Sequence, residues 1–199
     1  MRERGLSVDH VTTFRWVQRY APEINKRMRP HLKMSGTSYH LDETYVKVGT
    51  EWKYLYRAVD SAGDTNEFML SAKRDVPVAK RFFNKLMRAD HRRLPFTIGT
   101  DKHASYPEAF AASVKEKVLP FDCKLRRVKY LNNVIEQDHR AIRRRWRAAQ
   151  CFRSFHTAER TIEGIEALHM MRKGQVKRLD GRDAVGQARF VESLFGIAA

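Results

Sequence analysis

Two hydrophobic rhythms alternate along the chain. In residues 9 to 20, DHVTTFRWVQRY, the apolar residues Val11, Phe14 and Val17 recur every three positions. This predicts a short amphipathic helix, capped by Ser7 or Asp9, with that stripe turned inward and Pro22 marking its end. The following EINKRMRPHLKMSGTSY is predicted to be a linker with a basic helical stretch in it. From His40 onward the period shortens to two. HLDETYVKV, EWKYLYRAVD and NEFMLSAKR read as three strands, joined by VGT and SAGDT, whose glycines and polar residues suit hairpin turns.

The helical period then returns in VPVAKRFFNKLMRA, with a stripe of Val78, Phe82, Leu86 and Met87. LPFTIGTD is a short apolar strand ending in a Gly-Thr-Asp turn, and SYPEAFAASVKEKV is a helix with Pro107 in its first turn. FDCKLRRVKY reads as a strand, residues 131 to 149 as a long helix, and TAERTIEGIEALHMMRKG as a helix capped by Thr157 and stopped by Gly174. The last 25 residues read as one more, weakly amphipathic helix. This order predicts an α/β protein with a mixed five-stranded sheet and helices on both faces.

Composition narrows the chemistry. At 199 residues and 42% hydrophobic, the chain is long enough for one full core plus extensions. It has no run of 18 apolar residues, and no apolar segment follows the charges of MRERGLSVDHV. Neither a membrane span nor a signal peptide is expected, so the expected location is the cytoplasm. Cys123 and Cys151 form no CxxC pair and fit buried thiols in a reducing compartment. The formal charge of +16 attracts polyanions. Because the basic residues are interleaved with Trp, Tyr and Phe on patterned segments, nucleic acid is the expected partner and a disordered basic tail is disfavoured.

Three acids stand out on this scaffold. Alternation along HLDETYVKV puts Asp42 on one face with Thr44, Val46 and Val48, and Glu43 on the other with Tyr45 and Lys47. Asp42 is thus expected to be the buried acid, which is costly unless it is paired or holds a cation. Asp101 follows Phe96, Thr97 and Ile98 at the carboxyl end of a strand, where ligands of open α/β sheets bind. Taken alone it reads equally as a cap or turn residue.

In NNVIEQDHRAIRRRW, setting Ile135 at zero and turning about 100° per residue places Ile142, Trp146, His139 and Ala149 within about 40° of it. Asn132, Glu136, Arg140, Arg143 and Arg147 occupy a polar flank from about 60° to 140°. Glu136 therefore borders the packed face, whereas Gln137 and Arg144 point to solvent. Asp138 turns about 200° from Glu136 and is not expected to share a ligand with it.

Two strand carboxylates and one helix carboxylate can converge on hard divalent cations, and two such ions about 3.5 to 4 Å apart serve phosphodiester chemistry. Arginines on the same flank would grip backbone phosphates. The histidines show no zinc spacing. Asp60 and Asp64 fall at a hairpin turn, where Asp bonds locally. Lys102 and His103 are candidate phosphate contacts.

These residues carry a resemblance. HLDETYVKV, WKYLYRAVDSAG, IGTDKHASYPEA, KYLNNVIEQDHRAIRRR and CFRSFHTAERTIEGIEALHMMRKGQ, running across most of residues 40 to 175, resemble the DDE transposases of bacterial insertion sequences, in the branch grouped as insertion sequence family six. The 34 residues between Asp101 and Glu136, and Arg143 seven positions after the glutamate, match that branch.

The resemblance implies a ribonuclease-H-like fold with Asp42, Asp101 and Glu136 holding two Mg2+ ions, for which Mn2+ could substitute. It implies nicking of the element's terminal inverted repeats and transfer of the freed 3′-hydroxyl to target DNA, with Arg143 near the scissile phosphate. A homo-oligomer on DNA, at least a dimer and nucleoid-associated, goes with it.

The expected organisation is a partial helix-turn-helix DNA-binding segment at 1–25, a linker at 26–38, the catalytic domain at 39–175 and a helical tail at 176–199. Met1 falls inside the region where relatives carry a fuller helix-turn-helix. Thr12, Thr13, Arg15 and Trp16 are its candidate recognition residues, with simple packing on the catalytic domain as the competing role. Two other readings stand beside the enzyme: a truncated relative acting as a DNA-binding inhibitor of an intact transposase, and a basic coat protein indifferent to its acids.

Overall fold

The computed structural model describes residues 8–89, 91–127, 133–148 and 152–197, with the backbone alone for residues 133, 134, 147 and 148. Five strands form one mixed sheet in the order β3-β2-β1-β4-β5. β1 (Ser38–Val48), β2 (Glu51–Asp60) and β3 (Thr65–Ser71) are an antiparallel meander, and β4 (Thr97–Thr100) and β5 (Lys124–Arg127) add in parallel on the other side of β1.

Both turns of the meander use the predicted residues. Gly49 at φ +58° lets a two-residue loop reverse the chain. At the next turn the Asp60 carboxylate accepts from the backbone N–H groups of Ala62 and Asp64, and Gly63 sits at φ +84°.

Alternation along β1 serves two cores. Tyr39 and Leu41 pack with Phe82, Phe83 and Leu86 of α2 (Val76–Met87) and Tyr106 and Ala109 of α3 (Ser105–Lys115). Val46 and Val48 face the opposite layer, with Ile142 and Trp146 of α4 (Asn133–Ala148) and Ala158 and Ile162 of α5 (Phe155–Arg172). Covering both faces is what a sheet with parallel crossovers requires. Cys123 lies in the first core, where burial pushes its thiol up to about 11.

Several boundaries differ from the sequence expectation. α1 (His10–Met28) continues through Pro22, with Asp9 as cap accepting from Thr12 N–H. Proline has no N–H for the carbonyl of Gln18 four residues earlier, and Arg160 of α5 donates to that carbonyl instead at 3.2 Å. The helix survives because its neighbour repairs it. Where the two helices cross, a Cβ on Gly164 would lie 2.7 Å from the Cβ of Ala21, so only glycine allows this approach.

The stripe of Val11 and Phe14 is exposed rather than turned into a core, because only the later part of α1, at Ala21, Asn25 and Met28, is buried. α5 is capped by Ser154, which accepts from Thr157 N–H, so Thr157 is the third helical residue. Gly174, at φ +71°, follows its end as expected. In the tail only Ala184–Leu194 is helical (α6), seated by Phe190 against His31 and by Arg27 donating to the Leu194 carbonyl. No helix among the described residues is long and apolar enough to cross a membrane.

Candidate active site

The pairing of β1 with β4 runs Ser38 with Thr97, Tyr39 with Ile98 and His40 with Gly99. Continuing that register by two residues sets Asp101 beside Asp42. β4 stops at Thr100, so among the described residues this edge of β1 has no partner between Leu41 and Lys47, before the isolated parallel bridge of Val48 with Phe152, and side chains from both faces of β1 can reach around it there. Carboxylate oxygens of Asp42, Glu43 and Asp101 lie within 4.8 Å of one another there.

Glu43 was not among the acids singled out from sequence. Alternation identified Asp42 as the buried acid, yet the Glu43 side chain is 2% exposed and that of Asp42 is 19% exposed. The reason is that both faces of β1 are covered, and on the Glu43 face Tyr106 of α3 and Arg74 close directly over the carboxylate. Tyr106 Oη donates to Glu43 Oε1 at 2.7 Å. Arg74, from the segment between β3 and α2, places Nη2 2.8 Å from both Glu43 Oε2 and Asp101 Oδ2. The signal available in the sequence was the DE pair itself, two adjacent acids on one strand.

The electrostatics describe a site with too much negative charge for its solvation. Burial, and then the neighbouring Glu43 charge, raise Asp42 to about 7, and burial also raises Glu43. A cluster of hard oxygen donors in which Asp42 and Glu43 resist ionising together fits a divalent cation, which favours the charged carboxylates and accepts oxygen ligands. His139 Nδ1 lies 3.6 Å from Asp42 Oδ2, beyond hydrogen-bond distance. Burial and the charges of Arg57 and Arg143 lower that imidazole to about 3, which keeps it neutral.

Glu136 is exposed in the first turn of α4 and is not part of the 4.8 Å cluster. The wheel's other assignments on this helix agree with the packing: Ile135, His139, Ile142 and Trp146 are buried, and Gln137, Arg140 and Arg144 are exposed. Arg143 is half-buried, donating from Nε to Thr44 Oγ1 at 2.7 Å, two residues along the strand from Asp42. Asn132 lies outside the described residues, as do the side chain of Arg147 and Cys151. Lys102 is exposed, with its carbonyl accepting from Arg127. His103 is turned back on its own loop, its N–H bonded to Asp101 Oδ1 and its Nδ1 2.8 Å from Ser105 Oγ. Thr12 and Thr13 are half-buried, Thr13 spending its hydroxyl on the Asp9 carbonyl, while Arg15 and Trp16 are exposed.

Asp138 performs a task the sequence reading overlooked. On the wheel it falls about 60° from Ile135, on the opposite flank from Glu136, and there it meets Arg57, which is fully buried and sits directly opposite Asp42 in the β1–β2 register. Arg57 Nη2 is 2.6 Å from Asp138 Oδ2, and its Nε and Nη2 donate to Glu166 of α5 at 2.7 and 3.0 Å. His169 and Lys173 complete the set on Asp138 Oδ1, at 2.6 and 2.8 Å. A buried guanidinium between two carboxylates thus ties the first turns of α4 to the strand that flanks Asp42 and to α5.

A DDE domain family model, DDE_Tnp_IS240, matches residues 36–175. The transposase for insertion sequence-like element IS431mec of Staphylococcus aureus is 38% identical over 173 residues, 87% of this chain and 75% of the relative. The transposase for insertion sequence element IS257 in transposon Tn4003, from the same species, is equally similar over the same length. Among solved structures, the trimeric form of the HTLV-2 integrase catalytic core domain aligns with a TM-score of 0.51 at 12% identity, covering 66% of this chain and 84% of that one, a likeness of fold.

Proposed function

We propose, for a chain that belongs to the DDE transposases of IS6-type insertion sequences, that Asp42, Asp101 and Glu136 form the centre at which element ends are nicked and joined to target DNA. The observation that carries this reading is the β1–β4 register, which brings the carboxylates of Asp42 and Asp101, 59 residues apart in sequence, into one cluster at the open edge of β1. Glu136 enters as the third acid on the strength of its spacing and of its place in the first turn of α4, the helix that Arg57 holds against the same strands.

Two magnesium ions, replaceable by manganese, are the expected occupants; when bound, such ions activate an attacking oxygen and stabilise the leaving one. The carboxylates would hold the cations, and the buried His139 stays neutral beside Asp42. Arg143, steadied by Thr44, offers its guanidinium to the scissile phosphate, with Arg140, Arg147, Asn132, Lys102 and His103 as further contacts along the backbone. In the first step a water oxygen bonds to phosphorus at the element's end as the P–O3′ bond breaks, leaving a 5′-phosphate on the flanking strand and a free 3′-hydroxyl on the element. In the second that hydroxyl bonds to a target phosphorus as the target's own P–O3′ bond breaks. The first step consumes one phosphodiester by hydrolysis, the second conserves their number, and no bond to protein forms. Thr12, Thr13 and Arg15 on α1 are proposed to contact the terminal repeats within a homo-oligomer, at least a dimer, assembled on DNA.

The test uses preprocessed element ends, a supercoiled target and Mg2+ or Mn2+. Joining is expected with the unchanged chain and is expected to vanish in Asp101→Asn and Glu136→Gln while mobility-shift binding of the same ends persists. Binding without joining under either metal would overturn the enzyme reading in favour of a DNA-binding inhibitor.

A further inference from the structure

We infer that the cleft between α1 and the sheet is a seat for an unpaired stretch of DNA, held by base stacking beside the carboxylate cluster. The inference rests on the transposase reading for the identity of the polyanion, and on the cleft's own lining for everything else.

The cleft has a volume of about 1470 Å³ and runs from the exposed stripe of α1 to the β1–β2 hairpin and the far end of α4. Five aromatic residues line it: Phe14, Tyr45, Trp52, Trp146 and Phe152. Three of them are half-exposed or more, Phe14 at 50%, Tyr45 at 52% and Trp52 at 59%. Lys47, Arg143 and Arg153 supply positive charge, and no Asp or Glu lies among the described lining residues.

Together these features favour a partner that is anionic and carries flat apolar faces. Exposed aromatic surface of this extent needs an occupant, and a wall carrying cations without a single acid calls for an anionic one. Aromatic faces beside a basic track are what single strands use, because every base offers a π-face once it has left the duplex, whereas a paired helix presents only base edges and phosphates.

The cleft is also continuous with the candidate active site. Thr44 lines it, and Thr44 lies two residues along β1 from Asp42, about 7 Å at the usual strand rise. Arg143, bonded to Thr44, lines it too. A strand whose phosphate sits at Asp42 and Asp101 therefore has its neighbouring bases at the mouth of the cleft. The exposed stripe of Val11 and Phe14, which packs into no core, gains a role as the cleft's outer wall.

The experiment measures binding by the full chain in the presence of EDTA, so that its result does not depend on catalysis. The probes are a single strand of about 12 nucleotides, within the site sizes such grooves take, carrying 2-aminopurine, and the corresponding fully paired duplex. Stacking in the cleft is expected to quench the 2-aminopurine on binding. Trp52→Ala and Phe14→Ala, both at exposed positions, are each expected to relieve the quench and weaken single-strand binding roughly tenfold, with duplex affinity held within about twofold. Arg153→Gln is expected to reduce the salt dependence of single-strand binding by about one unit of slope.

Equal losses on duplex and single strand, or no loss on either, would overturn the assignment. So would a change in self-association without DNA, read by sedimentation, alongside unchanged oligonucleotide binding; that outcome gives the cleft to a second copy of the chain. Failure of strand joining with this binding pattern intact would count against the enzyme reading alone.

Discussion

Glu43 and Glu136 divide the part of third acid between them: one is inside the cluster and committed to Arg74 and Tyr106, the other is exposed, with no side-chain partner among the described residues. If Glu136 is the catalytic carboxylate, Glu136→Gln leaves thermal stability unchanged and removes joining. Glu43→Gln in contrast breaks the ion pair with Arg74 inside the fold, so the melting temperature falls, with residual joining by the folded fraction. Melting curves run beside the joining assay separate the two, and full activity in Glu136→Gln would sink the assignment.

Asp42 adds a dependence on pH. Its folded pKa, about 7, lies above the ordinary 3.8, so as pH rises from about 4 the unfolded chain releases this proton before the folded one does. The stability associated with the protonated form is present below about 4 and is lost as pH rises through 7. A cation bound to the ionised group offsets that loss. Mg2+ is therefore expected to raise the melting temperature more at pH 8 than at pH 6, its stabilisation approaching about 2.7 kcal/mol at a hundredfold excess over Kd. In Asp42→Asn this pH dependence disappears. That Asp42 and Asp101 converge was legible from strand order and strand ends. That Glu43 is the more buried acid was not, because Tyr106 and Arg74, both distant in sequence, close over it.

At the scale of elements, the ion cluster on Arg57 decides where α4 sits. Removing the guanidinium in Arg57→Met strands Asp138 and Glu166 in a buried site, and a loss of about 3 to 5 kcal/mol is expected from denaturant unfolding. A much smaller loss would show that α4 is held by Ile142 and Trp146 alone. The pairing of α1 with α5 makes a second prediction. Gly164→Ala presses a methyl against Ala21, and about 1 to 3 kcal/mol of overpacking is expected to outweigh the gain in helix propensity. Its signature is faster proteolysis within residues 10–28.

Periodicity together with turn residues located the described strands and helices between residues 38 and 172, although β3 is buried along its whole length and shows no alternation of burial. Periodicity ended α1 at Pro22 because proline removes a hydrogen bond, and it had no means of knowing that Arg160, 142 residues from Gln18, would satisfy the orphaned carbonyl. The Ser154 cap was displaced to Thr157 for a related reason: both residues can cap, and only the backbone geometry distinguishes them.

At the scale of the molecule, the excess of +16 should govern affinity for DNA through counterion release, so binding of element ends is expected to weaken steeply between 50 and about 200 mM salt. A flat salt response would argue against phosphate contacts. Acid stability carries the mark of the buried layer under α4. Burial holds His139 at about 3 against 6.5 in the unfolded chain, so below pH 6.5 the unfolded state takes up a proton that the folded state refuses, and stability falls as pH drops. Melting temperatures from pH 7 to 4 are expected to fall less in His139→Gln than in the unchanged chain. By itself the sequence determined the order of elements, the mixed sheet, the basic surface and the two strand acids, since these follow from local periodicity, composition and strand polarity. Only the tertiary structure decided that Glu43 joins those acids, that Asp138 anchors α4 through Arg57, and that the stripe of α1 lines a cleft. Each of these depends on contacts between segments far apart in the chain, whose partners no local pattern can specify.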